Sequence, residues 1–385
     1  MNGIWYYAIA FLIIWVIAFL FKSKLEKWGV QVEFPLLMWK TSKLQGFIDK
    51  IAYKHPKFWK WFMNVGVVLS FGLMVVITYS IISALSTINQ TAAVSIVIPG
   101  VEIPGSPIFI PFIYGLIAMA SVIIVHELSH AIMARAENIE VDSVGLLLLA
   151  ILPGAFAEVN EEQIEKSSKL SRLRVFAAGS MANVTLSVIA LVCMLLISSF
   201  AVPCLFEDTG IEINKVVDGS PASGNLQSGM ILKSINNQNI TNSNVYLDVV
   251  QTFVPGEEVN VTTDKGAYHL TLSENPNNKS LGFLGIEGYK HFVVKDDVSN
   301  IVGDQIPWIF FSLVELLKWV YFLNLGVGLF NLLPMKPLDG GRMFEILLSY
   351  RLKENLYKPI VRLCSYFLLI IVVFSILYGI FSAVL

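Results

Sequence analysis

Residues 111–134 read PFIYGLIAMASVIIVHELSHAIMA. As a helix this apolar run is long enough to cross a bilayer's hydrocarbon core, which takes about 20 residues. Three ionisable residues stand together near its end: His126, Glu127 and His130. The two histidines are four apart, so a helix puts them on one face, one turn from each other. Two imidazoles so placed can hold one zinc ion. Glu127, beside the first of them, can reach a zinc-bound water as general base. An ionisable side chain at mid-membrane costs roughly 2.5–3.5 kcal/mol on insertion scales, so a cluster of three points to function. The competing explanation is a polar patch where helices pack, held by hydrogen bonds.

Two histidines and a water leave one position on a four-coordinate catalytic zinc for another protein ligand. The candidate is Asp339, in the stretch Asn331-Leu332-Leu333-Pro334-Met335-Lys336-Pro337-Leu338-Asp339-Gly340-Gly341. Its prolines stop the preceding helix, and its glycines free the backbone to turn. A broken helix end of this kind can aim a carboxylate inward. Alone, Leu-Asp-Gly-Gly is also ordinary turn chemistry; beside a zinc motif short of one ligand, the ligand reading is the stronger.

Composition supports a polytopic membrane protein. Of 385 residues, 55% are hydrophobic and only 15% charged, against about 25% charged in soluble domains. A net charge of -2 offers no electrostatic case for nucleic acid. Cys193, Cys204 and Cys364 lie far apart without a C-x-x-C pair. They read as core residues, with neither a disulfide framework nor a thiolate metal site. The first apolar segment, Ile4–Phe21, has its lysines (Lys22, Lys24, Lys27) after it. A cleaved signal peptide has the opposite order, so this segment reads as a retained span.

Six segments meet or approach spanning length: Ile4–Phe21, Trp61–Leu85, Pro111–Ala134, Val175–Val202, about Trp308 to Leu333, and Ile360–Leu385. Glu315 and Lys318 suggest that the fifth helix begins near Lys318, with Pro307–Leu317 partly interfacial. The shorter run Val144–Phe156, with Gly145, Pro153 and Gly154, reads as a membrane-dipping hairpin. Lysines and arginines crowd the segments after the first span, after the hairpin and after the fifth span. Six spans threaded in order put all three on one side, which the positive-inside rule makes cytoplasmic, with both termini outside. Between Phe206 and about Asp297, polar residues and short alternating stretches replace the long apolar runs. Ile211–Val217, Ile231–Ile235, Glu258–Thr262 and Tyr268–Leu272 are divided by turn signals such as Asp218-Gly219 and Pro255-Gly256. This is a small strand-rich inserted domain, and the threading puts it outside the cell.

These residues resemble the site-2 proteases, intramembrane zinc metalloproteases of membrane-anchored regulators. The resemblance rests on His126-Glu127-Leu128-Ser129-His130, on Asn331–Gly340 (N-x-x-P, then L-D-G) and on Gly179-Ser180-Met181-Ala182-Asn183 (G-x-x-x-N). Val144–Val159 is similar to the family's dipping segment, and Gly210–Ile286 to its PDZ-like domain. Ser129 and Ser180 depart from the commoner Gly and Pro; neither is a metal ligand.

The resemblance implies an α-helical polytopic membrane protein of about six transmembrane helices, with a membrane-dipping β-hairpin and a small inserted α+β PDZ-like domain. The expected divisions are 1–110 (first spans and basic cytoplasmic loop), 111–205 (first half of the protease core), 206–297 (extracytoplasmic PDZ-like domain) and 298–385 (second half of the core). His126, His130 and Asp339 would bind Zn2+, and Glu127 would activate water. Asn183 and Asn331 would approach the substrate backbone or the oxyanion, although an Asn in a membrane helix also serves as helix glue. Implied partners are single-pass membrane protein substrates in the lipid bilayer, and a peptide for the PDZ-like domain unless that domain is only a spacer. The expected location is the plasma membrane. The rival readings are a non-catalytic receptor using the PDZ-like domain, a metal transporter, and a metalloprotease with Glu315 as third ligand.

Overall fold

The computed structural model describes residues 4–41, 43–87, 94–104, 106 and 108–384. The chain begins with α1 (Ile4–Leu20), α2 (Lys22–Lys27), β1 (Val30–Glu33), β2 (Leu36–Thr41), α3 (Lys43–Lys54) and α4 (Pro56–Ala84). Then come α5 (Phe112–Ala136), β3 (Val141–Leu149), β4 (Leu152–Val159), α6 (Glu161–Lys166) and α7 (Lys169–Leu196). A π-helical turn, Ile197–Ala201, leads to α8 (Val202–Leu205) and β5 (Phe206–Val216). Next are β6 (Leu232–Ile235), β7 (Gln238–Asn239), α9 (Ser243–Gln251), β8 (Glu258–Thr263) and β9 (Gly266–Thr271). The rest is β10 (Ser273–Asn275), β11 (Asn278–Phe283), β12 (Ile286–Val294), α10 (Asp296–Val302), α11 (Ile309–Asn331), α12 (Asp339–Ser349) and α13 (Glu354–Val384).

Among the described residues, five helical segments are long and apolar enough to cross a membrane: Pro56–Ala84, Phe112–Ala136, Lys169–Leu205, Ile306–Asn331 and Glu354–Ser382. The helix at the expected first span, α1 (Ile4–Leu20), is apolar and, at 17 residues, falls just under that length. α11 runs unbroken from Ile309, so the expected start near Lys318 is corrected. The charge at Lys318 does not end the helix because Glu315, one turn earlier, pairs with it at 2.7 Å. Glu315 also accepts from Trp319 Nε1 at 2.8 Å.

The chain forms two compact units, Met1–Met194 with Val314–Leu385, and Leu195–Leu313. In the first unit burial follows membrane logic. Large apolar side chains such as Val68, Leu363 and Ile370 face outward, while Ala131, Ala134 and Ala177 are fully buried. Ala131 and Ala134 of α5 and Ala177 of α7 share one buried cluster, small side chains of the kind that let helices pack where lipid supplies no hydrophobic driving force. A buried ionic knot ties α4, α5 and α7 at one end. The Glu137 carboxylate takes hydrogen bonds from Arg174 Nη1 (2.6 Å) and Ser171 Oγ (2.9 Å), with Lys60 Nζ at 3.3 Å. Burial raises the Glu137 pKa; the Arg174 and Ser171 hydrogen bonds and the Lys60 charge outweigh it, so the net shift is downward.

The basic segment after α1 is not a simple loop. β1 and β2 join β3 and β4 in one antiparallel sheet of order β1-β2-β3-β4, with Leu36 opposite Leu149 and Thr41 opposite Val144. The Val144–Phe156 segment lies within the β3–β4 hairpin, which turns at Ala150 (φ 59°). Trp15 Nε1 of α1 donates to the Ala150 carbonyl at 2.9 Å. β4 is an outer strand of this sheet and packs against α5.

The second unit is wider than the expected 206–297. Its flanks fold in because Phe206, Phe292, Trp308 and Phe311 stack edge-on or tilted at 4.9–6.2 Å. β7-β6-β8-β9 form one antiparallel sheet, β5 and β12 a long ribbon, and β10 and β11 a hairpin. Ile213, Leu232, Ile235, Val259 and Val261 make the core. Asp208 closes the start of α9, taking hydrogen bonds from Ser243 N (3.1 Å) and Ser243 Oγ (2.5 Å). Burial raises the Asp208 pKa; the Ser243 and Gly210 hydrogen bonds and the Lys290 charge outweigh it, so the net shift is downward. The cysteines are free: Cys364 packs partly buried against a core cluster and Cys193 is half-buried, while Cys204 is exposed, so the core expectation is corrected for Cys204.

Candidate metal centre

α5 carries His126 and His130 one turn apart, with ring centroids 4.8 Å from each other. Asp339 is the first residue of α12. It meets the histidines because α11 ends at Asn331 and the chain doubles back over residues 332–338. That return is very tight. A Cβ at Gly340 would lie 2.3 Å from the Leu332 carbonyl, and one at Gly341 2.4 Å from the Met335 carbonyl carbon. The expected reason for these glycines, freedom to turn, is therefore corrected. They open α12 without positive φ, and their lack of a side chain is what lets α12 pack on the preceding backbone.

Asp339 Oδ2 lies 3.2 Å from His126 Nε2 and 3.2 Å from His130 Nε2, and the two Nε2 atoms are 3.2 Å apart. A tetrahedral zinc with bonds of 2.0–2.1 Å sets its ligand atoms ~3.3 Å apart. The three side chains are only 12%, 13% and 16% exposed. His130 Nδ1 donates to the Val175 carbonyl at 2.7 Å, which leaves Nε2 of a neutral ring with a bare lone pair. Asp339 Oδ2 is buried with no hydrogen-bond partner. Lone pairs converging at this distance repel unless a proton or a metal cation sits among them. Of the first-row and alkaline-earth cations, zinc suits two imidazoles and a carboxylate at tetrahedral spacing.

Glu127 is half-buried on α5, and its Oε2 accepts from the backbone N–H of Ala157 on β4 at 3.2 Å. This bond holds the carboxylate beside the cluster. α7 closes the other side. A Cβ at Gly179 would stand 2.4 Å from His130 Nε2 and 2.7 Å from His126 Nε2, so only glycine leaves room for the ligand atoms. Asn183, one turn on, is fully buried, with its amide nitrogen 3.2 Å from His126 Nδ1. Asn331 ends α11, half-buried. Gly179, the Val175 carbonyl and the Ala157 amide carry no sequence signal of their own as site residues. Only the G-x-x-x-N spacing hinted at the first.

Parts of this chain are similar to known proteins. An uncharacterised protein of Methanocaldococcus jannaschii is 33% identical over 232 residues, 60% of this chain and 56% of its own length. The membrane-bound transcription factor site-2 protease homolog of Arabidopsis thaliana is 22% identical over 157 residues, 41% of this chain and 30% of its own length. The chain thus spans about half or less of these relatives. The PDZ domain of an SdrC-like protein from Listeria monocytogenes aligns with 21% of this chain and 87% of that domain, at 19% identity and a TM-score of 0.19. The model of peptidase family M50 matches residues 114–375. More than half of the chain, including every residue of the metal cluster, falls in that match, and the chain belongs to peptidase family M50.

Proposed function

We propose that this protein is a membrane-embedded zinc metalloprotease that hydrolyses peptide bonds within or beside the spans of membrane-anchored proteins. The observation that carries the reading is the meeting of His126, His130 and Asp339 at tetrahedral spacing with Glu127 alongside. A zinc ion bound there supplies Lewis acidity, lowering the pKa of a water and polarising the scissile carbonyl. Glu127, steered by the Ala157 N–H, takes the proton of the attacking water and delivers it to the leaving amine.

A helical substrate shields its own peptide bonds, so it must unwind before attack. The outer strand β4 offers a place to pair. The Ala157 N–H points away from β3 toward Glu127, and alternation turns the Ala155 peptide the same way. The basic segments put the catalytic end toward the cytoplasm of a plasma membrane, and the Leu195–Leu313 unit outside, as a PDZ-like domain that gates or senses peptides. The strand pattern of Gly210–Ile286 supports that reading.

The test is cleavage of a tagged single-pass substrate by purified protein in detergent. Wild type should cut, lose activity to a chelator and regain it with zinc. Glu127→Gln should keep one zinc and slow by at least about 100-fold. Zinc-free wild type would favour the receptor reading, and Glu127→Gln cutting at the normal rate would remove Glu127 as the base.

A further inference from the structure

Each metal-facing imidazole has a second nitrogen, and where that nitrogen ends decides which lone pair is free. For His130 the partner is the Val175 carbonyl, an acceptor. For His126 it is Asn183, whose amide nitrogen lies 3.2 Å from Nδ1 while its Oδ1 is buried with no partner. The two amide ends exchange places by a half-turn of the side chain. Chemistry decides between them. If His126 Nε2 offers its lone pair toward Asp339 and His130, the single proton of the neutral ring sits on Nδ1. That N–H needs an acceptor, and an amide NH2 is not one.

We propose that Asn183 is a positioning residue of the metal centre: its carbonyl oxygen accepts Nδ1–H of His126 and holds that ring with Nε2 bare. The inference rests on the metal-site reading above. It gives the G-x-x-x-N spacing one physical meaning. Gly179 and Asn183 lie one turn apart on the same face of α7. The glycine leaves space for both Nε2 atoms, and the asparagine locks the ring that the Val175 carbonyl does not reach. α11 pins Asn183 in turn. A Cβ at Gly328 would be 3.2 Å from Asn183 Cβ and 3.1 Å from the Ser180 carbonyl, so the two helices meet with no room for the side chain to leave. Asn183 thus holds a ligand from behind, where the resemblance alone placed it against substrate.

The experiment is zinc affinity by chelator competition on the full chain in detergent, for wild type, Asn183→Ala and Asn183→Asp. Aspartate presents only acceptor oxygens. Asn183→Ala should weaken zinc about 10–100-fold, the usual effect of losing a partner behind a metal-bound histidine, and Asn183→Asp should restore the wild-type value or exceed it. Loss with aspartate as deep as with alanine would mean that the amide donates to Nδ1, and overturns the proposal. Equal affinity of all three overturns it as well. Wild type without zinc would instead sink the metal-site reading. Should a variant misfold, nitrogen-15 histidine spectra of zinc-loaded wild type decide. A hydrogen-bond coupling from His126 Nδ1–H to the Asn183 side-chain carbonyl supports the proposal, and an Nδ1–H without it overturns it.

Discussion

Replacing Gly179 by alanine adds one methyl group inside α7, where the same change usually stabilises a helix by about 1 kcal/mol. Here the methyl would stand 2.4 Å from His130 Nε2, and 2.7 Å from both Nε2 and Cε1 of His126. Ordinary contacts begin near ~3.5 Å, so His130 must retreat by about 1 Å and His126 by about 0.8 Å. Metal–ligand distances tolerate only about 0.2 Å. The displacement is several times that, and it acts on the ligand atoms themselves. Zinc affinity should fall at least about 100-fold, or more than about 2.7 kcal/mol, with helical content unchanged. Chelator competition measures the affinity, and circular dichroism checks the fold. A Gly179→Ala protein that binds zinc within a factor of about three of wild type would refute this picture of α7 seated under the two imidazoles.

Three further outcomes follow from the geometry. Asp339→Asn removes the anionic ligand, so zinc should bind at least about 10-fold more weakly; unchanged affinity would take Asp339 out of the ligand set. Glu137→Gln leaves Arg174 and Lys60 facing a neutral amide, where the Glu137 side chain is only 5% exposed and Arg174 13%. The cost should be roughly 3 kcal/mol, at the low end for a broken buried pair because Lys60 still reaches solvent, and thermal unfolding in detergent would register it. The lowered pKa of Asp208 makes its contribution to the Leu195–Leu313 unit fully present above the free carboxyl value of about 3.9 and lost as pH falls toward the depressed one. Hydrogen exchange in the first turn of α9, corrected for intrinsic rate, should therefore speed up below that pH in wild type, and a flat profile would contradict the assignment.

Much of the architecture was open to reading because membrane and periodicity leave plain marks. Apolar runs marked α4, α5, α7, α11 and α13, and turn dipeptides bounded β6, β8 and β9. The His126/His130 spacing on α5 follows from helix geometry alone. The strands β1 and β2 leave no clear mark in the sequence because Val30–Thr41 is short, lysine-flanked and interrupted by Phe34-Pro35. Its reason to be a hairpin is the edge of β3, which lies more than a hundred residues away. The start of α11 is not legible in the sequence because a charge pair in an apolar run looks like an interface, yet one helical turn neutralises it.

What the sequence offers by itself is a candidate donor set: two histidines and a carboxylate of the right chemistry, with a candidate base beside the first. What only the tertiary structure decided was the environment those donors share. The 3.2 Å approach of Asp339, the room left by Gly179, the Val175 carbonyl on His130, the Asn183 amide beside His126 and the Ala157 N–H on Glu127 join segments that are distant in the chain. Local sequence encodes local geometry, since backbone periodicity repeats over a few residues. Contacts across helices depend on packing, where a single absent methyl group at residue 179 separates a metal site from a steric clash.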